Sequence, residues 1–419
     1  MKAQAAPRAS LPRVVVTGMG SVSCVGVGNQ RLLEALREGR SGLRHLPSLE
    51  ALGMRCQVGG MVDERMLDEP PRKLRRFFPV TAHYAWQAAR EAMAQAGLSP
   101  EHLASPQCGL VIGGGAALSE HQTALEQLAS RGIARLSPYI VTRGMSSSVA
   151  AGLAHAFGIG GRSMVITSAC TSGAHAIGQA MELIQLGKLQ RVICGGSEEL
   201  HDTTALWFDA MGALSTHSNA EPQRASRPFD QGRDGIVLAA GAGVLVLESM
   251  ESALARGATV LAEVSGYGAS TDATSMVGPG PDGIADAMHQ ALSQSGASPD
   301  YINAHACSTP LGDLAEWQAI ANVFRSRGET VPALSSIKGL LGHAPAAAGA
   351  LDAIACILMM QHGFLAAGGH LDARDAAFDA APLLTENGVR HVDHVLSNSF
   401  GFGGSCASLM FSTYREDRA

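Results

Sequence analysis

The amino-acid sequence predicts a layered α/β fold, and three observations support this class. Hydrophobic residues make up 46% of the 419 residues and charged residues only 16%, and the 49 glycines are typical of tight turns and closely packed elements. Short β-branched runs alternate with longer helical stretches along the whole chain. This order of elements starts again near residue 257, which predicts two structurally related halves, residues 1–257 and 258–419.

The first half opens with a buried strand, RVVVT at 13–17, and the glycine-rich stretch after it, 18–28, is predicted to form a tight turn. That stretch lacks the third glycine of the dinucleotide-binding fingerprint, so we interpret it as structural. Further strands are expected at 109–115, 164–167, 191–196 and 236–248. Helices are expected at 29–38, 80–97 and 138–156, and another begins near residue 171.

The second half repeats this rhythm. Strands are expected at 261–268, at 301–304 and near residue 333, with a terminal hairpin around 395–411. Helices are expected at 284–295, 313–325 and 346–361. The last of these helices is rich in small residues and carries a single acidic side chain, Asp352.

Charge and cysteine spacing exclude several classes of function. The formal net charge of −6 provides no basic excess for nucleic acid. The eight cysteines are scattered without CxxC pairs or zinc-type spacing, so reduced thiols and no metal site are expected. The first 13 residues lack the apolar core of a signal peptide, and no segment is predicted to span a membrane. We therefore expect a cytoplasmic protein.

The stretch SMVITSACTSGAHAIGQ, residues 163–179, places Cys170 at a corner between a strand and a helix. Unpaired backbone N–H groups at a helix N-terminus favour negative charge, so a thiol there is expected to ionise more readily than a free one. A free cysteine taken alone is more often an inert, buried residue. A catalytic role therefore requires partners elsewhere in the chain.

Three other segments carry polar side chains in turn-rich, small-residue surroundings. They are NAHACSTPLGD at 303–313, SSIKGLLGHAPAAAG at 335–349 and NSFGFGGSCA at 398–407. His305 ends a predicted strand, and His343 precedes the small-residue helix. Each histidine alone would more often be structural.

Together with the Cys170 segment and DAMGALST at 209–216, these segments resemble the elongating β-ketoacyl-acyl carrier protein synthases, condensing enzymes of fatty-acid and polyketide synthesis. The resemblance covers almost the whole chain, with the motifs in the same order. It implies a thiolase fold, in which two duplicated α/β halves form five layers, αβαβα. It also implies a dimer, either of identical chains or with a related, non-identical ketosynthase-like subunit.

The resemblance implies a decarboxylative Claisen condensation. Cys170 is expected to accept an acyl chain as a thioester. His305 and His343 are expected to assist decarboxylation of malonyl-carrier protein and to stabilise the resulting enolate. The backbone N–H groups of Cys170 and Phe402 are expected to form the oxyanion hole, and Phe402 also matches the residue that gates acyl-chain entry, whereas Phe400 is expected to pack.

Supporting residues are implied as well. Lys338 and Glu316 are expected to form a buried pair that acts as an electrostatic scaffold around the histidines. Thr309 and Cys307 match positions that bind the phosphopantetheine arm of the carrier protein. That arm is the substrate carrier, and no tightly bound cofactor is expected.

The densest basic cluster of the chain, PRKLRRFF, gains a role from the same resemblance. Arg72, Lys73 and Arg76, with Arg131 adding to them, match positions where related synthases dock the acidic acyl carrier protein. Without a partner, the cluster would be interpreted as a solvated face.

The sequence departs from the family pattern at several positions. The second motif usually reads HGTSTP, and here Ala306 and Cys307 replace the glycine and the first threonine. A thiol is a weaker hydrogen-bond partner than a hydroxyl, so pantetheine binding is expected to change. Ser405 and Cys406 stand where threonine and asparagine are usual. These changes favour a specialised synthase, of a type II polyketide or aryl-polyene-like pathway, over a housekeeping one.

Three alternatives are weighed against this interpretation. A degradative thiolase usually has a second reactive cysteine in its late motif, where this chain has His343. A starter-type condensing enzyme would replace the second histidine by asparagine. A chain-length-factor-like subunit, which shapes a partner's tunnel without condensing, usually lacks the nucleophile that Cys170 provides.

Overall fold

A computed structural model describes residues 11–115, 117–278 and 280–415 of the chain. Residues 1–10, most of the segment considered above for a signal peptide, lie outside these ranges. The strands in the described ranges are β1 (Val14–Ser23), β2 (Gly26–Val27), β3 (Arg44–His45), β4 (Val58–Gly59), β5 (Cys108–Gly114), β6 (Ser163–Ile166), β7 (Arg191–Glu198), β8 (Gly241–Ser249), β9 (Ala262–Thr271), β10 (Tyr301–Asn303), β11 (Ala333–Ser335), β12 (Phe364–Leu365), β13 (Gly388–Val389), β14 (His394–Gly401) and β15 (Ser405–Ser412).

The helices in the same ranges are α1 (Asn29–Glu38), α2 (Pro47–Ala51), α3 (Arg72–Arg75), α4 (Val80–Gln95), α5 (Pro100–Ala104), α6 (Leu118–Arg131), α7 (Ile140–Gly144), α8 (Ser148–Phe157), α9 (Ser172–Gln185), α10 (Asp202–Met211), α11 (Met250–Ala255), α12 (Pro281–Ser295), α13 (Pro310–Arg327), α14 (Lys338–Leu341) and α15 (Pro345–His362). The predicted helix at 138–156 is thus two helices, α7 and α8. Helix α10 lies partly in a stretch from which the sequence predicted no helix.

Hydrogen bonds join the main strands in the order β11-β10-β14-β15-β9-β1-β8-β7-β5-β6. The first five strands of this path come from the second half of the chain and the other five from the first half. Each group has the same arrangement: three parallel strands, then a strand antiparallel to its neighbours on both sides, then the first strand of that half. The two groups meet where Val15 and Val16 of β1 pair with β9.

One layer of helices lies between the two groups of strands, and other helices cover their outer faces. Helices α9 and α15 pack against each other and against strands of both groups, which makes them the central layer. Helices α4 and α8 cover the outer face of the first group, and α12 covers that of the second, with α13 packed beside it. The five-layer αβαβα arrangement expected from the resemblance is therefore present. Helix α15 is almost entirely buried, because both of its sides face strands.

The prediction of a tight turn at 18–28 is wrong in its first part. Strand β1 continues to Ser23, and its glycines serve close packing. A Cβ atom at Gly18 or Gly20 would lie 2.0 Å from a backbone carbonyl oxygen of α4. Only glycine allows the helix to approach the strand so closely.

Candidate active site

The turn between β6 and α9 holds Cys170 at the carboxyl end of the parallel strands β5, β6 and β7. Ala169 has a φ of 51°, a left-handed conformation that is rare for a residue with a side chain. Ser168 forms an isolated bridge with Cys170 across this turn. Thr171 is the N-cap of α9, so the cysteine immediately precedes the helix, as the sequence predicted. The thiol is buried, with 6% of the residue exposed.

The expectation that this thiol ionises more readily than a free one is wrong. Burial raises the pKa of Cys170 to about 12, and the nearby Glu198 carboxylate acts in the same direction. The Lys338 ammonium and the backbone N–H groups of Cys170 and Phe402 oppose that shift. Desolvation of a charged sulfur outweighs the favourable helix terminus here. The resting cysteine is therefore a neutral thiol, with two backbone donors directed at its sulfur.

His305 and His343 lie side by side, with ring centroids 5.3 Å apart and ring planes at 87°. His305 follows β10, and His343 follows α14 and pairs through its backbone with Leu238. Both residues are buried, at 9% and 1% exposure. The sequence separates them by almost forty positions, and the fold brings them into contact.

Three buried ring nitrogens of this pair lack a hydrogen-bond partner within the described ranges. Among the residues that the structure describes, neither ring nitrogen of His343 has a hydrogen-bond partner, and Nδ1 of His305 has none. Burial lowers the pKa of His343 to about 3, and the Lys338 ammonium acts in the same direction. Burial also lowers the pKa of His305 well below its usual value. Both imidazoles are consequently neutral at physiological pH, and buried polar groups without partners are costly unless a substrate satisfies them.

One pocket of about 430 Å³ unites the predicted reacting groups. Its walls include six residues singled out from the sequence: Cys170, His305, Cys307, Thr309, His343 and Phe402. The neighbouring walls are largely apolar and include Ile236 and Phe400. The ring of Phe400 meets that of His305 edge to face at 5.8 Å, which agrees with the packing role expected for it.

Glu316 holds the loop that carries His305. Its Oε1 accepts a hydrogen bond from the backbone N–H of His305 at 2.9 Å, and its Oε2 accepts one from Ala306 at 2.8 Å. The side-chain amide of Asn398 also donates to Oε1, at 3.1 Å. Burial raises the pKa of Glu316, and these hydrogen bonds oppose the shift. The carboxylate therefore orients the histidine through its backbone.

The expected pairing of Lys338 with Glu316 is wrong. The Nζ atom of Lys338 instead donates to Oδ2 of Asp352 on α15, at 2.6 Å, and both side chains are 2% exposed. Glu316 is already engaged by three donors, whereas Asp352 lies on the face of α15 next to α14. Lys338 nevertheless acts electrostatically on His305 and His343, as its effect on their pKa values shows.

Phe402 stands at the pocket wall in a short segment, Phe402–Gly404, which we call the gate segment. Its ring stacks on Phe208 of α10, with centroids 5.6 Å apart and planes at 19°. Gly403 adopts a φ of 78°, a backbone conformation that residues with a side chain rarely adopt. The sequence did not indicate the Phe208 contact, because the two residues are far apart in the chain.

Cys307 and Thr309 both line the pocket, but their mutual contact is weak. The sulfur lies 4.0 Å from the Thr309 hydroxyl oxygen. Burial raises the pKa of the Cys307 thiol, and the negative charges of Asp313 and Cys170 would raise it further. Cys307 is therefore a neutral group close to Cys170.

The basic cluster lies on the surface. Arg72 and Lys73 of α3 are exposed and form no ion pair with any described residue, and Arg75 pairs with Glu69. Arg76 stacks on the rings of Phe77 and Tyr139 and donates to the Tyr139 hydroxyl. Arg131 is exposed at the end of α6. The structure does not bring these residues into the pocket.

Two further observations concern metals and membranes. In the parts of the chain that the structure describes, His, Cys, Asp and Glu side chains form no cluster suited to a metal ion. Within the same residues, no helix has the length and apolar character needed to cross a membrane.

Two family models match this chain in succession. The model described as "Beta-ketoacyl synthase, N-terminal domain" matches residues 12–253, and the one described as "Beta-ketoacyl synthase, C-terminal domain" matches residues 261–372. A 3-oxoacyl-[acyl-carrier-protein] synthase 1 of Haemophilus influenzae is 42% identical over 405 residues, covering 96% of this chain and 99% of the relative.

Solved structures agree with the sequence matches. A beta-ketoacyl synthase from Burkholderia phymatum superposes with a TM-score of 0.89 and 34% identity, over 97% of this chain and all of the other. A ketosynthase of a type II polyketide synthase, AntDE, in complex with its acyl-carrier protein, has a TM-score of 0.89 and 28% identity, over the same shares. The chain thus belongs to the beta-ketoacyl synthase family.

Proposed function

We propose that this protein is a β-ketoacyl-acyl carrier protein synthase in which Cys170 is the nucleophile and His305 and His343 serve decarboxylation. The observation that carries this proposal is the pocket that Cys170, His305 and His343 line together. The chain-length-factor alternative is not supported, because the related proteins are named as synthases and the nucleophile is in place.

The first half-reaction transfers an acyl group from carrier protein to Cys170. The sulfur attacks the thioester carbonyl, a new C–S bond forms, and the bond to the pantetheine sulfur breaks. The proton of the neutral Cys170 thiol passes to the departing pantetheine thiolate, so charge balances. The backbone N–H groups of Cys170 and Phe402 are the donors for the carbonyl oxygen while it is negatively charged.

The second half-reaction uses the histidines. Malonyl-carrier protein loses carbon dioxide, and the electron pair of the broken C–C bond stays on the substrate as an enolate. The enolate oxygen accepts hydrogen bonds from His305 and His343. Neutral imidazoles suit this role, because a charged one would be costly in this buried site. The enolate carbon attacks the Cys170 thioester, a C–C bond forms and the C–S bond to Cys170 breaks. The released Cys170 thiolate takes up a proton from solvent.

Glu316 and Lys338 support this chemistry without contacting substrate. Glu316 fixes His305 by accepting hydrogen bonds from the backbone. Burial keeps both histidines neutral, and the Lys338 ammonium adds to this by disfavouring a second positive charge nearby. Both are thus positioning or electrostatic residues.

The two half-reactions are separated by variants. His305→Ala and His343→Ala should still acylate Cys170 from acyl-carrier protein but should lose about 10²–10³ in decarboxylation rate. Cys170→Ser should lose acylation. Mass spectrometry of the acylated peptide and carbon dioxide release measure the two steps. A His343→Ala variant that decarboxylates at the native rate would refute the assignment.

The pantetheine arm is proposed to pass Cys307 and Thr309, which line the same pocket as the reacting groups. Thr309 offers a hydroxyl, and Cys307 offers only a weak thiol partner. This difference supports a specialised pathway over a housekeeping one. A Cys307→Thr variant should lower KM for carrier-bound substrates if the arm is held here.

The carrier protein is proposed to dock on the exposed charges of Arg72, Lys73, Arg76 and Arg131. Arg72 and Lys73 have no ion pair among the described residues, so their charge is available to an acidic partner. The stacking of Arg76 on Phe77 and Tyr139 fixes one guanidinium on that surface.

A dimer is proposed to form through β6. This strand lies at the end of the sheet, where it pairs with β5 alone among the described strands, and Ser163 and Met164 are exposed. An open strand edge favours pairing with another chain. Exposed apolar residues on nearby segments, Leu125, Ile133 and Val141, add surface to bury. Sedimentation of the purified chain would distinguish a homodimer from a monomer that needs a related subunit.

The division into residues 1–257 and 258–419 is also a proposal. It is supported by the repeated strand arrangement and by family-model matches that end at 253 and begin at 261. A cytoplasmic location is proposed because the nucleophile must remain a reduced thiol.

A further inference from the structure

A hydrogen bond ties the residue after the nucleophile to the residue after the gate segment. Thr171 Oγ1 lies 2.8 Å from Ser405 Oγ, although the two residues are 234 positions apart. Thr171 is fully buried, and Ser405 is the first residue of β15. The two backbone donors directed at the Cys170 sulfur come from the two segments that this bond connects.

The direction of this hydrogen bond follows from the other contacts of Thr171. Its hydroxyl donates to the backbone carbonyl of Ser168 at 2.6 Å, and a carbonyl oxygen can only accept. A hydroxyl group has one proton to donate. The Ser405 hydroxyl must therefore be the donor to Thr171 Oγ1.

His175 extends the connection on the other side of the turn. Its Nε2 lies 3.4 Å from the backbone carbonyl oxygen of Cys406, so the proton is on Nε2. Nδ1 then accepts from the Ser168 hydroxyl at 2.8 Å. Burial lowers the pKa of His175, which favours a neutral ring. We call the four side chains of Ser168, Thr171, His175 and Ser405 the polar ring.

The turn that carries Cys170 packs closely against the backbone just before the gate segment. A Cβ atom at Gly401 would lie 3.1 Å from the backbone nitrogen of Cys170 and 3.3 Å from the Ser168 oxygen. The gate segment begins at the next residue. A small displacement of either segment would therefore change the distance between the two oxyanion donors.

We propose that the polar ring is a positioning device, in which Thr171 and Ser405 hold the N–H groups of Cys170 and Phe402 in register. This inference rests on the proposed function. Neither side chain lines the pocket, so neither contacts substrate. The two residues act through the backbone geometry of the oxyanion hole, which both half-reactions use.

A positioning role predicts a specific kinetic pattern. Thr171→Val removes the hydroxyl but keeps the shape, and Ser405→Ala removes its donor. Each should lower kcat for condensation about ten- to hundredfold, because small misplacements of catalytic donors are costly, and KM for malonyl-carrier protein should stay unchanged. Thr171→Ser and Ser405→Thr retain the hydroxyls and should keep near-native kcat.

The test is a double-mutant cycle in the full-length protein. Single-turnover condensation is measured for the wild type, Thr171→Val, Ser405→Ala and the double variant, with circular dichroism to confirm folding. The double variant should be no slower than the slower single variant, since both lose the same bond. If Thr171→Val does not fold, Ser405→Ala against Ser405→Thr provides the same comparison.

Three results would overturn the inference: multiplicative losses in the double variant, a loss in KM alone, or single variants within twofold of the wild-type rate. The wild-type control separates this failure from that of the proposed function. If the wild type condenses and the variants condense at the wild-type rate, only the positioning role is refuted. A wild-type protein that neither acylates Cys170 nor condenses refutes both.

Discussion

The ammonium group of Lys338 lies 2.6 Å from the carboxylate of Asp352, and both groups are buried between α14 and α15. Burial lowers the pKa of both His305 and His343, and the ammonium of this pair is close enough to lower them further. Burial raises the pKa of Asp352, and the ammonium opposes that shift. The charge balance of the site therefore depends on a residue that contacts no substrate.

Removing one partner of this pair should destabilise the protein. Asp352→Leu leaves the Lys338 ammonium buried without a counter-charge, and we expect a loss of about 3–5 kcal/mol in the free energy of unfolding. The double variant Lys338→Met, Asp352→Leu should recover much of the loss. Urea unfolding measures both, and a single variant that costs less than about 1 kcal/mol would contradict the account.

The pKa of Cys170 predicts how alkylation of its thiol depends on pH. Because the pKa of Cys170 is raised to about 12, the thiolate fraction grows tenfold per pH unit over the range 6 to 9. The rate of iodoacetamide labelling at the Cys170 peptide should rise with the same slope. A plateau below pH 9 would show that the thiol is already ionised there.

The ionisation of Glu198 should also affect how the labelling rate of Cys170 depends on pH. Burial raises the pKa of Glu198 to about 7, so its charge opposes Cys170 ionisation only above that pH. Glu198→Gln should therefore speed labelling at pH 8 and leave it unchanged at pH 6. Glu182→Gln, an exposed change on α9, is the control. Equal acceleration at both pH values would contradict the role of Glu198.

The histidine pair should stay neutral in mildly acidic solution. A lowered pKa means that the neutral form persists below pH 6.5, down to about pH 3 for His343. Nitrogen-15 spectra of histidine-labelled protein, assigned with His305→Ala and His343→Ala, should show no titration of either ring between pH 5 and 8. A midpoint near 6.5 would mean that solvent reaches the rings and that the enolate meets charged donors.

Because the ring of Phe208 stacks on that of Phe402, we expect Phe208 to control how readily the gate segment opens. Phe208→Ala removes a ring contact worth about 0.5–1.5 kcal/mol, so the gate segment should open more readily. We expect the single-turnover acylation rate of Cys170 to change, while decarboxylation is unaffected. Trp207→Ala, an exposed neighbour on α10, is the matched control. Identical acylation rates in both variants would exclude a gating role for Phe208.

Charge reversal tests the docking surface. Arg72→Glu and Lys73→Glu should each raise KM for carrier-bound substrates about tenfold at low salt and leave kcat unchanged, because the charges steer association. The effect should shrink as salt screens the surface. Arg325→Glu, an exposed reversal on α13, should have no effect. If all three variants behaved alike, the carrier protein would dock elsewhere.

The sequence placed Cys170, His305 and His343 in motifs at the end of a strand or the start of a helix, and the structure brings all three into one pocket. Their catalytic roles stay predictions from the resemblance. The partner of Lys338 required knowledge of packing, since Asp352 meets the lysine only when α14 packs against α15. Asp352 is the single acidic residue in an otherwise apolar helix, and this feature could have indicated that it pairs with a buried cation.

Two other errors have the same origin. Gly18 was interpreted as part of a turn, although its role is to admit α4 against β1. Its close contact is with Ala92, 74 positions away in the sequence. The ionisation of Cys170 was inferred from the helix terminus alone. Burial reverses the direction of its pKa shift, and that burial cannot be read from the sequence.

The central claim is that Cys170 carries the acyl chain that is then condensed. The most direct measurement is mass spectrometry of the protein incubated with acyl-carrier protein and then with malonyl-carrier protein. The acyl mass should appear on the Cys170 peptide and disappear on the second addition, with one carbon dioxide and one 3-oxoacyl product per acyl group lost. An acyl group on another residue, or one that survives malonyl-carrier protein, would contradict the account.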